Sequence, residues 1–300
     1  MATVIATAAS VAAAVPAQAF ESTYLYNLST LTGRVATGWR EITYDEAGRE
    51  LFLVAGDAIR VFNQAGMETA TLRGEAEVSD ILSVAALEDG DLAVLARSGP
   101  GWSLVRCNYR GEPKGTITPS AIPPAFFPDV VVRVGGRLYL ADRPGMRALV
   151  MDVTGKVEQA VDVAQRIGLA EKKRGDTGIS GFTVDRAGNL VVAVAPLFKV
   201  YVIPPEGDVR SFGKPGGGPG RFNIVNGVAV DASGNFYVAD TLKCAVIAFD
   251  RDFNFLGEFG YRGRGPGQLV APRTVAYGDG RVFVSQGGNR GVAVYRVRPQ

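Results

Sequence analysis

Runs of consecutive apolar residues, each about five long, recur along the chain and are separated by Gly, Asn and Asp. In "GVAVDASGNFYVAD" (227–240) two such runs flank "ASGN". Gly and Asn accept positive φ cheaply, so this reads as strand, tight turn, strand. "AVIAFD" and "FLGEFG" follow as a third and fourth strand. The first two runs are apolar on nearly every residue rather than on alternate ones. Strands of that kind need cover on both faces.

The unit repeats. Anchored on the residue that opens its second strand, it recurs at Leu51, Leu92, Leu138, Leu190, Phe236 and Val282, at spacings of 41 to 52 residues. Six units of four strands, stacked radially so that each sheet is sandwiched between two neighbours, supply the missing cover. A one-dimensional β-solenoid would have shorter coils without paired hairpins. The predicted fold is therefore all-β, a six-bladed propeller of four-stranded antiparallel blades. The sixth unit stops near Val297, after its third strand. "STYLYNLSTLTG" (22–33) is strand-like and belongs to no unit. It is expected to complete the last blade and close the ring, which removes an exposed edge.

The first residues lie outside this pattern. "MATVIATAASVAAAVPAQAF" carries no charge, is rich in Ala and Val, and ends its apolar part at Ala17-Gln18-Ala19. Small residues at both ends of that triplet suit a signal-peptidase site before Phe20, although no Lys or Arg stands near Met1. The expected organisation is a cleavable signal over 1–19 and one propeller domain over 20–300. The chain would then be secreted or periplasmic, with no segment spanning a bilayer.

The last three units resemble NHL repeats. The resemblance rests on "FGKPGGGPGRFNIVNGVAVDASGNFYVADT" (212–241) and "FGYRGRGPGQLVAPRTVAYGDGRVFVSQGGNRGVAVY" (259–295), where the Phe-Gly, Gly-Pro-Gly and Val-Ala words keep order and spacing. It is strong over about residues 177–297 and implies a six-bladed β-propeller. The family's Asn-x-Arg after the second strand is replaced by Lys243-Cys244-Ala245 in unit five and survives in part as Asn289-Arg290 in unit six.

The chain has no histidine. Propeller lyases acting on peptidylglycine hold zinc with histidines, so that activity is not expected. Ser–His–Asp and Cys–His catalysis and Cys-x-x-Cys-His haem attachment fall with it. Cys107 and Cys244 lie in units two and five, opposite one another in a ring of six, beyond disulfide reach. No cofactor is indicated. Calcium-dependent propeller hydrolases gather Glu, Asn and Asp at the channel mouth, which makes Asp57, Asp142, Asp240 and Gln286, at the end of the second strand, the alternative catalytic set. In the matching repeats the same Asp shapes the loop, and that role is the expected one.

Three short words carry less. "RGD" at Arg174–Asp176 falls in the residues that stretch one spacing, and is expected to be exposed. "NLS" at Asn27–Ser29 fits a glycosylation acceptor but lies in a predicted strand. "FGKPGGGPGRF" lacks the Gly-Lys-Ser/Thr ending of a phosphate loop.

Net charge is only +2, yet its distribution is uneven. On a propeller, the loops after second strands and between blades share one face, and the tight hairpins share the other. Sorted this way, Arg and Lys dominate the loop face and Asp and Glu the hairpin face. Arg143, Lys199, Lys243, Arg262, Arg264, Arg273, Asn289 and Arg290 form the candidate partner-binding set. They point to a non-catalytic interaction or scaffold module that takes an acidic partner. That partner would be an acidic protein surface, a phosphate-bearing envelope polymer or the haem propionates of an extracellular cytochrome. Nucleic acid is not expected for an exported chain.

Overall fold

A computed structural model of the protein describes residues 20–35, 39–73 and 78–298. The expected signal segment, residues 1–19, lies outside them. Six four-stranded antiparallel sheets follow one another along the chain. Numbering strands outward from the centre, blades one to five span residues 41–73, 81–116, 130–162, 181–212 and 225–259. The first strands of successive blades lie side by side around a central channel, that of blade one against that of blade six.

Blade six takes three strands from residues 272–298 and its fourth from the N-terminus. Glu21–Asn27 pairs antiparallel with Val292–Arg298, in register from Glu21 opposite Arg298 to Asn27 opposite Ala293, with a bulge between Tyr24 and Tyr26. The strand is shorter than the apolar run suggested. After Leu28, which is fully buried, the chain turns and Ser29 bridges to Val35 and Met67. "NLS" therefore begins inside the closing strand.

The core is six apolar layers, each between two neighbouring blades. This is why second strands are apolar on every residue. Leu190–Val194 is buried throughout because odd and even positions face different neighbours. Between blades four and five the layer is aromatic, with the Phe212 ring 4.8 Å from Phe249 and 5.1 Å from Phe236. Cys107 and Cys244 are buried in blades two and five and do not bridge each other.

The hairpin face owes much of its acidity to turn chemistry. Asp231 Oδ1 accepts the backbone N–H of Ser233 and Asn235, at 2.8 and 2.9 Å, while Gly234 supplies φ 86°. Asp185, Asp250 and Asp152 cap their turns in the same way. An Asp in this place replaces backbone bonds that the tight turn cannot make.

The longest spacing is filled by short helical turns, Val163–Arg166, Glu171–Lys173 and Arg174–Thr177. Here the exposure expected for "RGD" holds for Gly175 and Asp176 and is corrected for Arg174. The Arg174 side chain is only 13% exposed and donates to both oxygens of Asp162, at 2.9 and 2.7 Å. A guanidinium spent on anchoring its own loop is not offered to a receptor.

Candidate functional site

Three residues of the alternative catalytic set are tied up in loop hydrogen bonds. Asp142, Asp240 and Gln286 each end a second strand, and all three are buried. Asp240 accepts four backbone N–H groups: Asn223 at 2.6 Å, Ile224 at 3.2 Å, Leu242 at 3.1 Å and Lys243 at 2.9 Å. It staples the loop entering blade five to the loop leaving its second strand. Asp142 takes Gly145 N at 2.9 Å and Phe127 N at 3.4 Å, and Gln286 Oε1 takes Val270 N at 3.0 Å.

Asp57 is not equivalent to these. The register position in blade one is Ala55, and Asp57 sits exposed in the two-residue turn that follows. In blade four the position is held by Val194, which pairs with Lys199 as Asp240 pairs with Ala245. Among the described residues no three Asp, Glu, Cys or His side chains are grouped as a metal would need.

The candidate partner-binding set divides in two. Lys243 is 9% exposed and is spent below the loop 213–222, where its Nζ donates to Glu258 at 2.7 Å and to Gly218 O at 3.0 Å. Lys199 Nζ reaches Ser211 Oγ at 3.2 Å. Arg143 turns inward to the loop end of the channel: its Nε donates to Asp129 at 2.8 Å, and its Nη1 lies 3.9 Å from Glu41 of blade one. These three cations are committed to the fold.

Arg262, Arg264, Arg273, Asn289 and Arg290 remain, all on blade six or on the connection leading into it. Arg262, Arg264, Arg273 and Asn289 are exposed, and none of the four arginines enters an ion pair among the described residues. Arg290 passes under the loop 260–269 and donates to Arg264 O, but its Nε is buried without a partner. The register explains why. In blade five Glu258 pairs with Ile247 on the fourth strand and neutralises Lys243. In blade six the equivalent partner of Ala293 is Asn27, because that strand is borrowed from the N-terminus. Closing the ring replaces an acid with an amide, and Asn27 Oδ1 is itself buried without a partner.

Sequence reasoning had placed Ile224, Leu242 and Tyr261 in no site. They are exposed by 43%, 50% and 63% on the loops of blades five and six. Arg262 Nη2 donates to Leu242 O at 3.0 Å, which places that arginine beside this apolar group. It also missed Glu41, which opens the innermost strand of blade one. Burial pushes the Glu41 carboxyl above its ordinary range, and Arg143 offsets this only in part. The one available signal was a Glu heading an otherwise half-apolar strand, "EITYD".

No family model matches the chain, and no curated protein matches it. Solved structures do resemble it. A protein of unknown function from Bacteroides thetaiotaomicron is 14% identical with a TM-score of 0.66, over 93% of this chain and 77% of its own. Virginiamycin B lyase from Staphylococcus aureus is 13% identical with a TM-score of 0.61, over 94% of this chain and 100% of its own. XC5397 from Xanthomonas campestris, a gluconolactonase, is 13% identical with a TM-score of 0.59, over 93% and 90%. At such identities the likeness is one of fold, and the fold shared is the β-propeller.

Proposed function

We propose that this chain is an exported, NHL-type propeller that works as a non-catalytic interaction module and takes an acidic partner on the loop face of blades five and six. The observation that carries this is the unneutralised group of Arg262, Arg264, Arg273 and Arg290, left without the acid that serves Lys243 one blade earlier. Ile224, Leu242 and Tyr261 add apolar area beside it. Charge for steering and apolar contact for residence are what a protein interface of moderate size needs. Export rests on the Ala17-Gln18-Ala19 triplet, and the mature protein is expected to begin at Phe20. Among the described residues no helix is long and apolar enough to cross a membrane.

The enzymatic alternative has less support. A histidine-to-alanine variant of the staphylococcal lyase is catalytically inactive, and this chain has no histidine. Asp142, Asp240 and Gln286, the set a channel-mouth hydrolase would draw on, are occupied by backbone N–H groups.

The test is capture from a native envelope extract on immobilised protein. The wild type is expected to retain one acidic component that elutes as salt rises. The triple variant Arg262→Glu, Arg264→Glu, Arg273→Glu is expected to retain none of it. Equal capture by both proteins overturns the proposal.

A further inference from the structure

A cavity of about 550 Å³ lies between the six first strands, on the axis of the ring. Along blade one its lining runs from Glu41, next to Arg143, to Glu46 at the hairpin mouth. The walls between are mixed: Val132, Val184, Val228, Ala85 and Ala276 alternate with Thr43, Thr183 and backbone polar groups. Its size falls within the range of pockets that take small organic ligands.

The charges in this cavity have one sign in excess. Four acids line it, Glu41, Asp45, Glu46 and Asp185, against two arginines, Arg133 and Arg186. Both arginines are already engaged. Arg186 Nη2 sits 3.0 Å from each carboxylate oxygen of Glu46, joining opposite blades across the mouth. Arg133 Nη1 is 3.1 Å from Glu88 and 2.9 Å from Gly135 O. Glu41, with 13% of its side chain exposed, accepts the Ile42 N–H at 3.2 Å but has no close cation. The nearest cationic nitrogen, on Arg143, is 3.9 Å away, and that arginine gives its Nε to Asp129 at 2.8 Å.

From this arrangement we infer that the axial cavity binds an organic cation: a protonated amine on an apolar body, its ammonium directed to Glu41. The reasoning is by elimination of other ligand classes. An anion would meet a surplus of carboxylates. A small metal ion would want several acidic or imidazole ligands together, and among the described residues no three Asp, Glu, Cys or His side chains are so grouped. A neutral apolar molecule would pack on the valines and alanines but displace water from the Glu41 carboxylate, leaving it only the Ile42 N–H and an arginine 3.9 Å away. An amine with an apolar body satisfies the walls and the carboxylate together, and the acidic hairpin face draws it to the mouth.

Three probes that share one body test this: 3-phenylpropylammonium, 3-phenylpropanol and 3-phenylpropionate. They would be titrated into the purified protein by calorimetry and by amide NMR. The ammonium is expected to bind at least about tenfold more tightly than the alcohol, and the carboxylate more weakly than either. The amides of Ile42 and Thr43 are expected to shift. Glu41→Gln should level the ammonium and the alcohol, and Thr183→Phe, which fills the cavity from the first strand of blade four, should remove binding of all three. Charge reversal at Arg262, Arg264 and Arg273 should leave ammonium binding unchanged, which separates this site from the loop face. Equal affinity of wild type for ammonium and alcohol overturns the inference. So does a preference that survives Glu41→Gln, or amide shifts confined to the loop face. If Glu41→Gln fails to fold, the probe ranking and the shift map on the wild type decide alone.

Discussion

Asp240 offers the most direct check on what its repeat position does. Its carboxylate is fully buried and accepts four backbone N–H groups from two loops. Asp240→Ala leaves those donors without a partner in a place where water enters poorly. At about 1 kcal/mol or more for each orphaned group, with some relief as the loops relax, the loss is about 3–5 kcal/mol. For a domain of this size that lowers Tm by about 6–15 °C. Asp142, with one good bond and one long one, should cost about 2 kcal/mol, and Gln286, with one, about 1 kcal/mol. Asp57 is exposed and accepts no hydrogen bond among the described residues, so Asp57→Ala should fall within about 0.5 kcal/mol of wild type. Urea unfolding followed through Trp39 and Trp102 gives all four values in metal-free buffer. The expected order is Asp240, Asp142, Gln286, Asp57. A flat series would refute the stapling argument, as would an Asp240→Ala protein of unchanged stability.

Other consequences can be measured in the same way. Gly227→Ala puts a Cβ 2.4 Å from the Arg273 carbonyl oxygen and 2.7 Å from Thr274 Cα, backbone on both counts, and should cost about 2–3 kcal/mol by forcing blades five and six apart; a tolerated alanine would show that they are not packed so closely. Lys243→Met leaves Glu258, 13% exposed, without its cation, and should cost about 3 kcal/mol, whereas Arg264→Ala should cost almost nothing in the same urea assay. Removing residues through Asn27 uncovers the third strand of blade six, so light scattering should report dimers or larger species; a stable monomer would deny that strand its closing role. Finally, the folded state binds the Glu41 proton more tightly than the unfolded chain does. That contribution is fully present below the ordinary carboxylate pKa and is lost as pH rises through the raised value. Relative to Glu41→Gln, the wild type should therefore lose stability from about pH 4 upward, and a pH-independent difference between the two would contradict the burial of that carboxyl.

Much of the architecture was legible because a repeat announces itself. Strands apolar at every position, as in "LVVAV" and "FYVAD", can be buried only between two neighbours, and six units with a missing last strand leave a ring completed by residues 21–27 as the economical solution. The candidate site was less legible. Lys243 and Arg290 look alike in sequence, two cations after a second strand. Only the register of the fourth strand shows that one meets Glu258 and the other has Asn27 in the equivalent place. Arg143 looked like a surface cation until the fold turned it toward Asp129 and Glu41.

The sequence by itself determined the blade, the number of blades and the means of closure, because these follow from local periodicity and from where apolar residues recur. Which charges are free was decided by tertiary structure alone. A side chain's partner in a propeller comes from another strand or another blade, tens to hundreds of residues away, as Arg186 and Glu46 show from 140 positions apart. No pattern within a single repeat encodes that meeting, so the exposed arginines of blade six and the carboxylate inside the channel emerged only once the ring was closed.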